Sequence, residues 1–171
     1  EAALDGIKYT GAIKFTDTPV LTANIDAALQ LTTGKVTAEV AGTAADLVEA
    51  LTPSATAKDA LTLKLTDTDP VAASVLKALD GKTSVAVDAS DVTEITGTAT
   101  ELKTVLAANT AATPTITLDL TAVNLTVDGK VSAADLNAFA KATDGVVTAD
   151  IEGSAAALNA ALKDVDGVVD D

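Results

Sequence analysis

The chain has 171 residues, a net charge of −14 and a pI near 4.1. This charge argues against a nucleic-acid-binding protein, because binding to nucleic acid requires Lys and Arg clustered on one face. The chain contains no Cys, His, Met or Trp, so disulfides and thiolate metal sites are excluded. No apolar run approaches the roughly 18–20 residues that span a bilayer, so membrane insertion is not expected.

Short segments of alternating apolar and polar residues predict half-buried strands. In residues 61–66, leucine occupies every second position. The same alternation occurs in residues 13–16, 36–40 and 116–121. After each strand the apolar spacing changes to i, i+3, i+4, as in the pair Leu47 and Leu51, which predicts a short amphipathic helix.

The helix starts carry recognisable signals. Thr43 and Thr98 are predicted N-caps, because each is followed three residues later by an acidic residue that completes a capping box. Ser154 occupies the same position in a third copy but lacks the acidic residue. We place Pro19 and Pro70 at the starts of two further helices, where a missing N–H has little consequence.

The sequence contains internal repeats, which is the first feature to look for in a chain of this composition. One motif occurs three times, as "TAEVAGTAADLVEAL" from Thr37, "TEITGTATELKTVL" from Thr93 and "TADIEGSAAALNAAL" from Thr148. Its glycines, Gly42, Gly97 and Gly153, are almost equally spaced along the chain. A second, unlike motif lies between the copies, so each period is a double unit of two sub-units, each of about 27 residues, a length typical of repeat architectures.

These repeats predict a single repeat domain over residues 1–171. We divide it into three copies of the 55-residue double unit, at about 7–57, 58–110 and 111–163, and we assign residues 164–171 to the start of a further strand.

The predicted fold is α/β, a repeat solenoid of six strand–helix units with a parallel sheet and helices on one face. Strands joined through helices pair in parallel by right-handed crossovers. A parallel sheet covered on both faces needs nearly continuous apolar strands, whereas these strands alternate, so one face is expected to be wet. The size of the unit matches leucine-rich repeats, although their sequence signature is missing.

The two ends of the chain match internal segments. "AALDGIKYTGAI" from Ala2 resembles "KALDGKTSVAV" from Lys77, and "DVDGVVDD" from Asp164 resembles "ATDGVVTAD" from Ala142. The chain is therefore expected to begin at the end of a helix and to finish as a strand begins, without the polar capping repeats that seal a solenoid. We expect either a segment of a longer array or a subunit that stacks head to tail into filaments.

Three strings, "LTDTDPVAASVLKALDG", "VDASDVTEITGTATEL" and "AGTAADLVEAL", carry a family resemblance. They resemble the Thr/Ala/Asp-rich tandem repeats of giant secreted bacterial cell-surface proteins of the marine cyanobacterial type. The resemblance is strongest over residues 35–110. It implies export, an extracellular or cell-surface location and a structural or adhesive role, and it supplies no catalytic residues.

We do not expect an enzyme. General acid–base catalysis most often uses His, and nucleophilic catalysis often uses Cys or a Ser beside His, none of which is available. Carboxylate pairs remain, as in glycosidases, but the acidic residues are scattered over turns and polar faces. Aromatic platforms for sugars are scarce too, because the chain has only Tyr9, Phe15 and Phe139.

The best local motif is "NLTVDGKVSAAD", which aligns with an EF-hand-like calcium loop and has its glycine at the sharp turn. The candidate ligand set is Asn124, Thr126, Asp128, Lys130, Ser132 and Asp135. The set has only two carboxylates and ends in Asp instead of Glu, so Ca²⁺ is the one candidate cofactor and its affinity is expected to be weak. The alternative is an inserted loop in which Ser132 is an N-cap and Asp135 belongs to a capping box.

Our leading functional hypothesis is a structural module of an extracellular or cell-surface array or filament, with self-association through open solenoid ends. The alternative is a Ca²⁺-stabilised adhesin or carbohydrate-binding module whose partner is a cell-surface glycan. A minor alternative is an ice-binding surface made of exposed threonines and interrupted by charged residues. These threonines are Thr16, Thr37, Thr62, Thr66, Thr117, Thr121 and Thr148.

Overall fold

The computed structural model describes residues 10–16, 19–20, 22–51 and 59–162. These residues form nine strands and six helices, so the fold is α/β and the predicted class is confirmed. The elements are β1 (Ile13–Lys14), α1 (Thr22–Leu31), β2 (Val36–Gly42), α2 (Ala44–Leu51), β3 (Ala60–Leu65), β4 (Val71–Ala72), α3 (Ala73–Asp80), β5 (Val87–Asp88), β6 (Glu94–Thr98), α4 (Ala99–Thr110), β7 (Ile116–Thr117), β8 (Asn124–Val131), α5 (Ala133–Ala140), β9 (Val147–Ile151) and α6 (Ala155–Leu162). The helix end expected at residues 2–9 and the strand expected at 164–171 lie outside the described residues.

The strands form two parallel sheets. The first has the order β1-β2-β3-β5-β7 and the second the order β4-β6-β8-β9. Within each sheet the strands follow chain order, and paired residues are 20 to 30 positions apart in sequence. The sequence predicted parallel pairing, which is confirmed, but it predicted one sheet where the structure has two.

Polar segments after β3, β5 and β7 separate the two sheets. The carboxylate of Asp88 accepts hydrogen bonds from the N–H and the hydroxyl of Ser90, at 3.1 and 2.6 Å. Asp119 accepts the same two bonds from Thr121, at 3.0 and 2.6 Å. Such Asx turns redirect the chain before the second strand of the unit begins. After β3 the break is made by a segment ending in Pro70, which has no N–H to donate to a ladder.

The inward-facing side chains form aliphatic rows across the sheets. In the second sheet, Val71 lies beside Ile95, and Ile95 lies beside Leu125. These three side chains are at most 3 % exposed. Burial of such rows contributes roughly 25 cal/mol per Å² of apolar surface. The alternation predicted from sequence is confirmed, since the leucines of residues 61–65 are buried and Thr62 between them is exposed.

The helices also pack in chain order, with α1 on α2, α2 on α3, α3 on α4, and α5 on α6. Their apolar faces close the core: Leu47 and Leu51 of α2 and Leu102 of α4 are fully buried. The predicted i, i+4 spacing is therefore confirmed for these helices. The side chains involved are small or medium-sized aliphatics, so sheet and helix layers approach closely.

The predicted N-caps are formed. Thr98 accepts the N–H of Glu101, and the Glu101 carboxylate accepts the N–H of Thr98, which completes a capping box. Hydrogen bonds from Thr98 hold the pKa of Glu101 below its ordinary value. Thr43 and Ser154 each accept the N–H three residues on, at 3.2 and 3.3 Å. The two prolines predicted at helix starts instead precede α1 and α3 by three residues.

Three buried threonines join successive units through their hydroxyl groups. These bridging threonines, Thr32, Thr83 and Thr143, each lie four residues before a strand and are 6–7 % exposed. Their hydroxyls donate to main-chain carbonyls of the preceding unit, at 2.6, 2.7 and 2.6 Å. Each hydroxyl also accepts the N–H two residues further on. The same side chain therefore satisfies a carbonyl of one unit and a donor of the next.

Two residues after the bridging threonines Thr32 and Thr143, the chain has a glycine, because the backbones of successive units approach closely there. A Cβ at Gly145 would lie 2.2 Å from the carbonyl oxygen of Val123, and a Cβ at Gly34 would lie 2.3 Å from that of Gly11. No real Cβ tolerates such a contact with main-chain atoms, so both positions require glycine. Close packing against the preceding unit therefore explains the glycine at both positions.

Replacing Thr83 by Val is expected to destabilise the protein by about 1–3 kcal/mol. The substitution keeps the shape but leaves the N–H groups of Leu61 and Val85 and the carbonyl of Leu61 without the hydroxyl. The matched control is Thr62→Val on the exposed side of β3, which we expect to change stability by less than about 0.5 kcal/mol. Urea unfolding followed by far-UV circular dichroism measures both variants; equal stabilities would contradict the bridging role.

Candidate functional site

The segment predicted as a calcium loop is mostly an extended strand. Residues Asn124–Val131 form β8, which pairs with β6 on one side and with β9 on the other. At roughly 3.3 Å per residue, Asn124 and Asp128 are about 13 Å apart along the strand. An EF-hand loop instead bends its ligands around one ion. The structure therefore does not bring the six candidate ligands together around one point.

The first two candidate ligands hold neighbouring strands. The side-chain oxygen of Asn124 accepts the N–H of Val146 at 2.8 Å, just before β9. The hydroxyl of Thr126 donates to the carboxylate of Glu94 on β6, also at 2.8 Å. Both polar groups thus connect β8 to an adjacent strand, which is the role expected of cross-strand pairs.

The last three candidate ligands are engaged as well. The ammonium of Lys130 lies 2.8 Å from the carboxylate of Glu152. Ser132 is the N-cap of α5 and accepts the N–H of Asp135 at 3.1 Å, which confirms the N-cap of the alternative interpretation. The Asp135 carboxylate bonds Lys103 of α4, and this hydrogen bond is the main cause that lowers the pKa of Asp135.

The glycine of the motif does adopt a left-handed conformation, but within a bulge. Gly129 has φ +78°. The β8–β9 register moves from Thr126 opposite Thr148 to Lys130 opposite Asp150, so β8 carries two additional residues there. Bulges of this kind favour glycine at the left-handed position. Among the described residues, no three acidic side chains are grouped so that they could hold a metal ion, and calcium binding stays a prediction.

Of the seven threonines predicted on the exposed faces, six are exposed and Thr37 is half-buried. In the first sheet they do not form a continuous row. Thr62 stands opposite Glu39, and Thr117 stands opposite Asp88. Charged residues therefore interrupt the threonines there, as the sequence predicted.

A continuous threonine row exists in the second sheet instead. Thr96 lies beside Thr126, which lies beside Thr148, on three successive strands. Of these three threonines, only Thr148 was predicted from the sequence to be exposed. The other two could have been found by aligning strand positions across the units, because each is the residue directly after a buried aliphatic residue of β6 or β8.

Lysine–carboxylate pairs connect successive units on the solvent-exposed surface. Two such pairs are Lys130 with Glu152 and Lys103 with Asp135. A third is made by Lys64 of β3, whose ammonium lies 3.1 Å from the carboxylate of Asp91, a residue shortly after β5. The Asp91 carboxylate, with Asp88 and Glu39 nearby, raises the pKa of Lys64. The three lysine side chains are 44–69 % exposed, so solvent screens each pair and its contribution to stability is small.

A groove that the sequence did not predict lies between two neighbouring units. It has a volume of about 480 Å³ and separates α2 from the segment that runs through β4 into α3. Its walls are mostly alanine, valine and proline, with two acidic residues, Glu49 and Asp67. No sequence motif indicates it, because its two walls come from different sub-units of the chain.

Comparison with protein-family models, with curated proteins and with solved structures finds no match for this chain. Among the described helices, none combines the length and the apolar character needed to cross a membrane.

Replacing Asp135 by Asn is expected to lower stability at pH 7. The pKa of Asp135 is lowered in the folded state, so its ionised form contributes stability above the unfolded-state pKa, and this is lost as the pH falls through the folded-state pKa. The difference in melting temperature from the wild type should therefore shrink towards acid pH. The control is Asp128→Asn, the same charge change at an exposed strand position. A difference in melting temperature between Asp135→Asn and the wild type that stays the same at every pH would contradict this role of the ionised carboxylate.

The calcium hypothesis is tested by melting the protein in CaCl₂ and in MgCl₂ at equal concentration. Because the candidate ligands are extended along β8 or engaged elsewhere, we expect the two salts to shift the melting temperature equally, through screening of the net negative charge. A rise specific to Ca²⁺, reversed by EGTA and lost in Asp128→Asn, would instead support a calcium loop.

Proposed function

We propose that this chain is a structural repeat module, a solenoid of strand–helix units that assembles head to tail into an extracellular or cell-surface array or filament. The observation that carries the proposal is the order of the layers. Both sheets and the helices follow chain order, so each unit contacts its neighbours in sequence. Such an order supports a quasi-one-dimensional repeat architecture, in which the contacts between units can be repeated.

The outer edge of β9 supports pairing with another copy. Leu125 on β8 donates its N–H to the carbonyl of Val146. In a parallel ladder the N–H of Thr148 then points back to β8, whereas those of Val147 and Ala149 point away. Among the described strands, β9 stands at the edge of its sheet, and such edges are templates for pairing with another chain.

The surface next to this edge supports the same interpretation. Val146, beside β9, is 66 % exposed, the largest exposure of any large apolar side chain among the described residues. The contacts that join units within the chain are backbone ladders, aliphatic rows and lysine–carboxylate pairs. A second copy of the chain has the same strand edges, aliphatic side chains and charged groups from which these three kinds of contact are made. Joining unlike ends is a heterologous contact, which produces an open filament when the rotation does not close.

Net charge sets the conditions for this assembly. Each copy carries −14, so copies repel one another at low ionic strength. Added salt shortens the range of this repulsion to about 8–10 Å at 0.10–0.15 M. We therefore expect filaments to lengthen as the salt concentration increases. Assembly through opposite charges would instead weaken, because salt would screen the attraction.

Two other proposals stand beside this one. The resemblance to repeats of secreted cell-surface proteins supports an extracellular location and agrees with a Ca²⁺-stabilised adhesin or carbohydrate-binding module that recognises a cell-surface glycan. The row of Thr96, Thr126 and Thr148 supports, as a minor candidate, a surface that orders water and binds ice. Neither requires self-association, so sedimentation separates both from the leading proposal.

Replacing Ala149 by Pro is expected to abolish assembly while the fold is kept. Proline removes an N–H that points away from β8, and proline is tolerated on edge strands. The matched variant Thr148→Pro removes an N–H directed at β8 and should destabilise the protein. Sedimentation velocity and negative-stain microscopy measure assembly, and circular dichroism measures folding.

The expected result is filaments for the wild type, folded monomers for Ala149→Pro and a lower melting temperature for Thr148→Pro. Filaments of unchanged length in folded Ala149→Pro would show that the β9 edge is not the contact. A wild type that stays monomeric at every salt concentration would reject head-to-tail assembly altogether.

A further inference from the structure

The groove beside α2 arises from a difference between two successive units. In one unit, α2 follows β2 after the single residue Thr43. In the next, residues 66–70 and the short strand β4 intervene between β3 and α3. The second sheet consequently begins at β4, which has β6 as its neighbour on one side. Both residues of β4 line the groove together with residues of α2.

The walls of the groove are apolar and partly open to solvent. Val48 of α2 and Val75 of α3 are half-buried, while Ala45 and Pro70 are exposed. Val71 at the base is 3 % exposed. The volume of about 480 Å³ lies within the range of about 300–1,000 Å³ that is usual for binding sites.

The charge on the groove is negative. Its two charged lining residues are Glu49, which is exposed, and Asp67, which is half-buried. Both carboxylate oxygens of Asp67 accept the N–H of Ala44, at 3.1 and 2.9 Å. This bond fixes the Asp67 carboxylate at the first turn of α2, beside the apolar walls.

The edge of β4 adds main-chain groups to this apolar and acidic surface. Val71 stands opposite Ile95 and Ala72 opposite Thr96, so one edge of β4 is used by β6. In a parallel ladder the second edge of a strand carries its own N–H and C=O groups. Extended peptides bind such edges by strand addition, with alternate side chains entering neighbouring pockets.

We propose that this groove binds an extended, lysine-bearing peptide segment of a basic partner protein. Its backbone adds to the free edge of β4, its apolar side chains contact Val48 and Val75, and a lysine places its ammonium between Glu49 and Asp67. A lysine fits this surface because its aliphatic stem covers apolar walls while its charge stays near the carboxylates.

The test is a titration of the ¹⁵N-labelled protein with an acetylated and amidated Val-Lys-Val-Lys-Val peptide, followed by NMR. We expect shifts confined to amides of residues 44–49 and 67–75. Ala45→Leu should weaken binding by more than about tenfold, because the larger side chain occupies the groove. The control Ala107→Leu makes the same change at an exposed position of α4 and should leave the affinity unchanged. Circular dichroism establishes that both variants are folded.

A second pair of variants tests the charge. Glu49→Gln should weaken binding by about two- to fivefold, as expected for an exposed ion pair, whereas Glu39→Gln, which removes the same charge from the exposed face of β2, should not. A peptide with Glu in place of both Lys residues should not shift the groove amides.

Three results would overturn the proposal. One is the absence of shifts at the groove, and another is an equal loss of affinity in Glu49→Gln and Glu39→Gln, which would show attraction to the acidic surface in general. The third is n-butylammonium binding as tightly as the peptide, which would make the groove a site for small amines without strand addition. None of these outcomes depends on head-to-tail assembly.

Discussion

The rest of the structure depends on the close parallel pairing of successive units. Neighbouring strands in a sheet stand about 4.8 Å apart, so each unit must return in register with the one before it. At the return, the hydroxyls of Thr83 and Thr143 bond main-chain carbonyls of the preceding unit, and the backbone at Gly145 passes so close to Val123 that no side chain fits. These contacts fix where one unit ends and the next begins.

The unusual composition follows from this constraint. Thin elements that stack at strand spacing leave room for small and medium-sized aliphatic side chains, and the core is accordingly built from Ala, Val, Leu and Ile, with Phe139 as its one fully buried aromatic residue among the described residues. Polar residues occupy the alternate strand positions and the turns. There they form Asx turns, N-caps and lysine–carboxylate pairs that repeat the connection between units on the surface.

The features proposed to serve recognition lie where one unit differs from the next. The groove exists because β4 and the segment before it have no counterpart in the unit of α2. The bulge at Gly129 gives β8 two more residues than β9 between their paired positions. The repeated contacts thus support the proposed assembly, whereas the departures from repetition provide a surface that another protein could recognise.

The sequence by itself determined the local structure. The alternation in residues 61–66 indicated which side chains are buried, and the spacing of Leu47 and Leu51 indicated the face of a helix. The caps at Thr43 and Thr98 were equally readable. Each of these signals lies within about one turn of helix or two strand positions, because propensity, amphipathicity and capping are short-range effects.

Only the tertiary structure decided the division into two sheets, the role of the bridging threonines and the conformation of residues 124–131. The calcium-loop pattern is local, but pairing with β6 and β9 holds these residues extended, and the polar groups of Asn124 and Thr126 bond partners that belong to other units. The groove likewise joins segments from different units. Register between distant segments is set by packing, and no window of the sequence contains both partners.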